Sequence, residues 1–183
     1  MKDQTENRRV RMTKRLMKDA LLELLEQKEL SGISVTAVCE SADVNRSTFY
    51  NYYNCPSDLL QEIEQEVLDR IPVPPLILDH EAEEQLLQDT TAFFDYVKEN
   101  KKIFHVLFSE SVNHDFSSRL VDLLCSQHIR SIGSVDEQSL RFMQRYVANG
   151  TVGMLREWIA ADFPVSSREI AEMMYVYSRK ITG

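Results

Sequence analysis

The sequence predicts an all-α protein: an N-terminal three-helix unit built around a helix-turn-helix, followed by a C-terminal helical bundle, about nine helices in all. Three observations carry this expectation. Only five glycines and five prolines occur in 183 residues, so tight turns are few and helices can run long. Apolar residues recur three and four positions apart through most of the chain, which is the helical period. No stretch alternates apolar and polar residues convincingly enough to be a strand.

The first element is carried by Leu16, Ala20 and Leu24, with Met17, Leu21 and Leu25 beside them, an apolar stripe at i, i+4 spacing. It is expected to end near Leu30-Ser31-Gly32, where glycine suits a left-handed stop. Ser34 is placed to cap a short helix through about Ser41, with Val35 and Val38 inward. Asn45 is placed to cap a second short helix, from Arg46 to about Tyr53. Pro56 suits the first position of a fourth helix that turns Leu59, Leu60, Ile63 and Val67 inward. Three of the five prolines fall within Ile71-Pro72-Val73-Pro74-Pro75. Proline lacks the amide donor and pushes its predecessor out of the helical region, so no helix crosses this segment. It divides residues 1–71 from residues 72–183. Beyond it the period predicts helices over about 79–99, 101–109, 114–131, 136–162 and 166–181. Ser166-Ser167-Arg168-Glu169 fits a capping box at the start of the last, and Pro164 closes the one before it.

Composition narrows the function. With 43% apolar and 27% charged residues the chain is an ordinary globule, and its apolar runs are too short to span a bilayer. The N-terminus lacks the apolar segment of a secretory signal. Cys39, Cys55 and Cys125 cannot all pair and form no CxxC, so they read as reduced thiols in a cytoplasmic protein. The formal net charge of −8 hides an asymmetry: residues 1–18 hold seven basic side chains against two acidic, whereas everything after residue 50 holds 12 against 21. A basic N-terminal arm on an acidic body can meet a polyanion with one end only; a solvated terminus is the plainer alternative.

The segment Ser34 to Leu60 has the spacing of a helix-turn-helix, two short helices joined at Ala42-Asp43-Val44, the second of which enters the major groove. At about 100° per residue, Asn45, Phe49, Tyr52 and Tyr53 fall on an inward side. Ser47, Tyr50 and Asn51 point the other way, flanked by Arg46 and Thr48. That outward set donates and accepts hydrogen bonds and contains no carboxylate to repel DNA. A polar helix facing solvent in any bundle would look similar.

These residues resemble a known family. Val35-Thr36-Ala37-Val38-Cys39, then Ala42 through Tyr53, then Leu59-Leu60, are similar to the DNA-binding domain of TetR/AcrR-type transcriptional regulators over about residues 10–70. The family's Thr-Phe-Tyr-x-x-Phe signature stands here as Thr48 to Tyr53, with Tyr53 in place of phenylalanine. The layout of the rest, with Gly150, Gly153 and Trp158 in a long penultimate helix, is similar to the subgroup that includes dihydroxyacetone-kinase regulators. The resemblance implies DNA contacts at Arg46, Ser47, Thr48, Tyr50 and Tyr52, with Thr36 touching phosphate; Asn51 is added from helical geometry alone. Two departures stand out. The family's turn glycine is Asp43, which tolerates the left-handed region better than most residues. Its usual phosphate-binding lysine is Pro56, leaving the helix N-terminus and the basic arm to compensate.

For the C-terminal part the resemblance implies a homodimer through the last two helices and a pocket for an unidentified small-molecule effector. Independently, Leu140, Met143, Val147, Gly150, Met154 and Trp158, then Ile170, Met173, Met174, Val176 and Tyr177, give both helices broad apolar faces. Glycine in a helix interior costs about 1 kcal/mol relative to alanine, which suits a close approach at Gly150 and Gly153. Phe93, Phe104, Phe108, Tyr146 and Trp158, with Phe94, Tyr96 and Phe116, are candidates for lining the pocket, or are plain core. Cys125 and His128, with His105 or His114, make too thin a set for a metal, and no cofactor is expected. No nucleophile elbow, phosphate loop or HExxH occurs, so an enzyme is not expected. The rival reading is a helical protein–protein interaction module without DNA binding.

Overall fold

The computed structural model describes residues 2–74, 83–109, 112, 115–126 and 136–182. Among the described residues there are nine α-helices, one 3-10 turn and no strand. The chain divides into two compact units, Met1–Asp69 with Ser109–Asn113, and Arg70–Phe108 with His114–Gly183.

The first unit contains α1 (Lys2–Leu25), a 3-10 turn (Leu30–Gly32), α2 (Val35–Ala42), α3 (Arg46–Tyr50) and α4 (Pro56–Arg70). Met17, Ala20, Leu21 and Leu25 of α1 pack with Val38, Cys39 and Ala42 of α2, Phe49 of α3, and Leu59, Leu60, Ile63 and Val67 of α4 to form its buried core. Ser34 caps α2 as expected, its Oγ accepting from the Ala37 amide at 3.1 Å, and Pro56 opens α4.

Four details depart from the periodic reading. The basic arm is the first turns of α1 rather than a separate tail. Leu16 is exposed, because the buried stripe centres on Met17 and Leu21 and Leu16 falls about 100° away from Met17. The helix stops at Leu25, where the polar run Glu26 to Glu29 offers nothing to bury. Gly32 lies within the 3-10 turn and has no left-handed φ, so it is not the stop.

The second unit contains α5 (Glu83–Glu99), α6 (Lys101–Leu107), α7 (Asp115–Cys125), α8 (Glu137–Ala160) and α9 (Ser167–Thr182). Positions 79–82, 114 and 127–131, where the period extended two of these helices, and Pro75 of the proline cluster lie outside the described residues. α5 packs against α9, and α8 against α6 and α7. Asp136 caps α8 through the Ser139 amide at 3.0 Å. The capping box at α9 forms: the Ser166 amide donates to Glu169 at 2.8 Å, and the Glu169 amide to Ser166 Oγ at 3.2 Å. α8 is closed by two residues at positive φ, Asp162 (54°) and Phe163 (59°). A phenylalanine there is unusual. Its amide reaches the Trp158 carbonyl at 2.9 Å, and its ring sits edge-on to Trp158 with centroids 4.7 Å apart. No helix among the described residues is long and apolar enough to cross a membrane.

Candidate nucleic-acid interface

The turn between α2 and α3 is set by Asp43, which adopts φ 52° and ψ 48°. The Val44 amide donates to the Cys39 carbonyl at 3.0 Å and the Asp43 amide to Glu40 at 3.4 Å, the paired bonds that end a helix on a left-handed residue. Aspartate thus fills the role of the family's glycine. Asn45 is extended and precedes α3, but its side chain makes no capping bond. It is exposed rather than inward. The first turn is held by the backbone instead, Phe49 N–H to Asn45 C=O at 3.1 Å.

α3 ends at Tyr50, three residues sooner than expected. The Tyr52 and Tyr53 amides both donate to the Phe49 carbonyl, at 2.9 and 3.0 Å. Beyond them Asp58 captures the chain. Its Oδ2 accepts from both the backbone and side-chain nitrogens of Asn54 at 2.9 Å each, and Cys55 Sγ donates to Oδ1 at 3.4 Å. The Asn54 amide, then its side chain and the Cys55 thiol, hold the Asp58 carboxyl below the usual carboxylate range. The same geometry corrects an expectation: the N-terminus of α4, read as a substitute phosphate site, carries this carboxylate.

Phe49 anchors the segment. It has no accessible surface, meets Tyr50 edge-on with centroids 5.9 Å apart and lies tilted against Tyr53 at 5.6 Å. Tyr53 is buried too, and burial, followed by the nearby Glu62 carboxylate, pushes its phenol well above the ordinary tyrosine range. With that side fixed inward, Arg46, Ser47, Tyr50 and Asn51 are exposed, Tyr50 to 57%. Thr48 and Tyr52 are half-buried beside them, and Thr36 is half-buried at the second residue of α2. Asn51 and Tyr52 lie in the turn after α3 rather than on it. Burial of the Cys39 thiol raises its pKa, opposed by the positive charge of Arg46.

Two cations at this site were not anticipated as structural. Lys14 Nζ lies 2.9 Å from Glu62 and over the rings of Tyr52 and Tyr53, 5.5 and 5.3 Å from their centroids. Lys18 Nζ lies 2.7 Å from both Glu62 and Glu66. The signal was present as two i, i+4 pairs, Lys14/Lys18 and Glu62/Glu66, but nothing in the sequence says that these two helix faces meet.

Of the five residues singled out for an effector pocket, the structure brings two into direct contact, Phe104 and Phe108, whose rings stack with centroids 6.4 Å apart. Phe93 and Phe104 are fully buried. Trp158 is buried between Phe94 and Phe163. Phe108 packs on Phe116 with centroids 5.7 Å apart. Tyr146 faces outward, 60% exposed, because it lies on the opposite side of α8 from the buried Ala148, Val152 and Leu155. Among the described residues no group of three or more His, Cys, Asp or Glu is placed to hold a metal; His114 and His128 lie outside them.

Residues 84–180 match a TetR-type family described as the C-terminal region of a transcriptional regulator. No curated protein matches the sequence. Solved structures do match in fold. A TetR transcriptional regulator from Streptococcus agalactiae 2603V has a TM-score of 0.70 and 17% identity over 96% of this chain and 98% of that one. The dihydroxyacetone kinase operon activator DhaS gives 0.62 and 17% over 92% and 94%. NalD, the secondary repressor of the MexAB-OprM multidrug efflux pump in Pseudomonas aeruginosa, gives 0.54 and 18% over 92% and 95%.

Proposed function

The chain belongs to the TetR family of transcriptional regulators, DNA-binding proteins rather than enzymes, and from that premise we propose that it is a ligand-responsive homodimer that reads a pseudo-palindromic operator in the cytoplasm. Residues 1–71 are the DNA-binding domain and residues 72–183 the effector-binding and dimerisation domain. α3 lies in the major groove. Arg46, Ser47, Thr48, Tyr50, Asn51 and Tyr52 meet base edges and phosphates, and Thr36 meets a phosphate.

The observation that carries the DNA reading is the exposed face formed by Arg46, Ser47 and Tyr50 of α3 with Asn51 in the turn after it, four polar or aromatic side chains with no carboxylate, backed by a buried Phe49. Such a face offers donors and acceptors at fixed positions, as base readout requires. The dimer is supported by α8 and α9. Phe142, Tyr146, Met173, Val176 and Tyr177 are all exposed there, and a groove of about 610 Å³ runs past Phe142, Tyr146, Gly150, Met154, Met174 and Tyr177. A β-carbon at Gly150 would meet nothing within 4 Å in its own chain, so any close approach it serves comes from outside. A two-fold dimer places two recognition helices about one helical turn of DNA apart. An effector acts by its differential affinity for two spacings of those helices, with α4 as the connecting rod. The ligand-responsive part of this reading rests on the family alone.

The test is a gel shift with the protein's own upstream DNA, with competitor duplex and rising salt. A complex that outlasts competitor supports the regulator. Only a weak background that vanishes with salt returns the protein–protein module to first place.

A further inference from the structure

We propose that Lys14 and Lys18 are positioning residues, not DNA contacts: with Glu62 and Glu66 they clamp α1 to α4 and hold the Tyr52–Tyr53 end of the recognition segment in place. The inference rests on the DNA-binding reading for its functional readout, though the clamp itself does not.

Residues 1–18 hold seven basic side chains, and by charge alone all would be candidates for phosphates. The structure divides them. Arg8, Arg9 and Arg11 are exposed, and no described residue is paired with them. Lys18 is the reverse, its side chain 12% exposed and its ammonium shared between Glu62 and Glu66 at 2.7 Å each. Lys14, 29% exposed, gives two hydrogen bonds to Glu62 at 2.9 and 3.3 Å.

Lysines one turn apart on α1 therefore face glutamates one turn apart on α4, and the cluster is neutral. Turning either ammonium to a phosphate would leave Glu62 with one lysine instead of two, and losing Lys18 would also take the lysine from Glu66, in a partly desolvated setting where unpairing is more costly than at an open surface. Lys14 adds a second duty. Its ammonium lies over both tyrosine rings, where the ring faces attract a cation. Tyr52 is among the residues assigned to DNA, and Tyr53 packs on Phe49. A shift of α4 thus moves Glu62, then Lys14, then the end of the reading surface.

The clamp predicts a sign that simple charge counting reverses. The full-length protein is titrated, over a salt series, with a duplex selected by the wild type from a random-sequence pool. Glu62→Gln removes a negative charge near DNA, yet it should weaken binding about three- to tenfold. Lys14→Met should weaken it to a similar degree without changing the slope of log K against log salt, and Lys14→Arg should restore part of the loss. Replacing Arg8, Arg9 and Arg11 with Gln should instead lower the slope by about 0.9 for each phosphate that is no longer neutralised. Tighter binding by Glu62→Gln, or a slope reduced by about 0.9 in Lys14→Met, overturns the proposal. Should the wild type select no duplex, the DNA reading fails. The clamp is then judged by a double-mutant cycle of Lys14→Met and Glu62→Gln in thermal unfolding, where a coupling of zero overturns it.

Discussion

Phe142 is the sharpest test of the proposed dimer. It stands near the start of α8, 68% exposed, one turn before the exposed Tyr146. A fully covered phenylalanine buries roughly 200 Å², so with 68% of it open about 140 Å² awaits a partner. At ~25 cal/mol/Å² that is about 3.5 kcal/mol per chain, or about 7 for the two copies of a symmetric dimer, as an upper bound. Ordering the side chains and imperfect cover reduce it, leaving roughly 4 kcal/mol. Phe142→Ser should therefore raise the dimer Kd about a thousandfold while leaving the helical content intact. Sedimentation equilibrium of the full chain measures the Kd directly, and circular dichroism checks the fold. Operator binding should then depend steeply on protein concentration, since two half-sites need two chains. A Phe142→Ser protein that dimerises within about threefold of the wild type, far below the 1.4 kcal/mol of a tenfold change, refutes the assignment of this face.

Three further outcomes are expected. Arg46→Ala should lower operator affinity by about 1–3 kcal/mol and relax preference at one base position, read by competition with single-base operator variants; equal losses on every variant would make Arg46 a phosphate contact instead. Burial alone would raise the Glu62 carboxyl, but hydrogen bonds from Lys18 and Lys14 outweigh it and hold it below the ordinary glutamate range. Because its folded pKa is depressed, Glu62 stabilises the protein above the unfolded value and loses that contribution as pH falls through the folded one; melting temperatures across the acid range should fall less steeply in Glu62→Gln than in the wild type. Phe163→Ala keeps the positive φ but loses the ring between Trp158 and His105, and should cost about 3 kcal/mol, roughly 6–12 °C in Tm; a Phe163→Gly protein more stable than the wild type would mean that backbone strain outweighs the packing.

The elements whose period is strong were readable because each announces its own boundary. Ser34, Pro56, Asp43 and the Ser166–Glu169 box act within a few residues of where they stand, and each does in the structure what its chemistry dictates. α3 is shorter than its sequence suggests because its end is decided from outside: the turn carbonyl of Phe49 takes two amides, and Asp58 takes Asn54. The aromatic residues show a related limit. Helical spacing says that Phe93 and Phe104 lie on inward faces, and they do, but only packing tells whether rings close on one another or leave a space. Tyr146 belongs to the same period and points outward, since period fixes a direction around the axis and not what lies there. The Lys14–Glu62 pair spans 48 positions, a distance over which charge patterning has no voice.

With five residues, α3 makes little more than one helical turn, and so short a helix has almost no stability of its own. Its rigidity has to be imported. Phe49 pins it from below, the left-handed Asp43 fixes its entry, the Asn54–Asp58 bonds fix its exit, and Lys14 bears on the rings at the exit. Two of these supports, Asp58 and the Glu62 that holds Lys14, belong to α4. The helix that ends the first unit therefore also fixes the far end of the surface proposed to meet DNA. Within this one unit, moving α4 and unsettling the reading face are the same event, so an effector need not reach α3 to change what it binds.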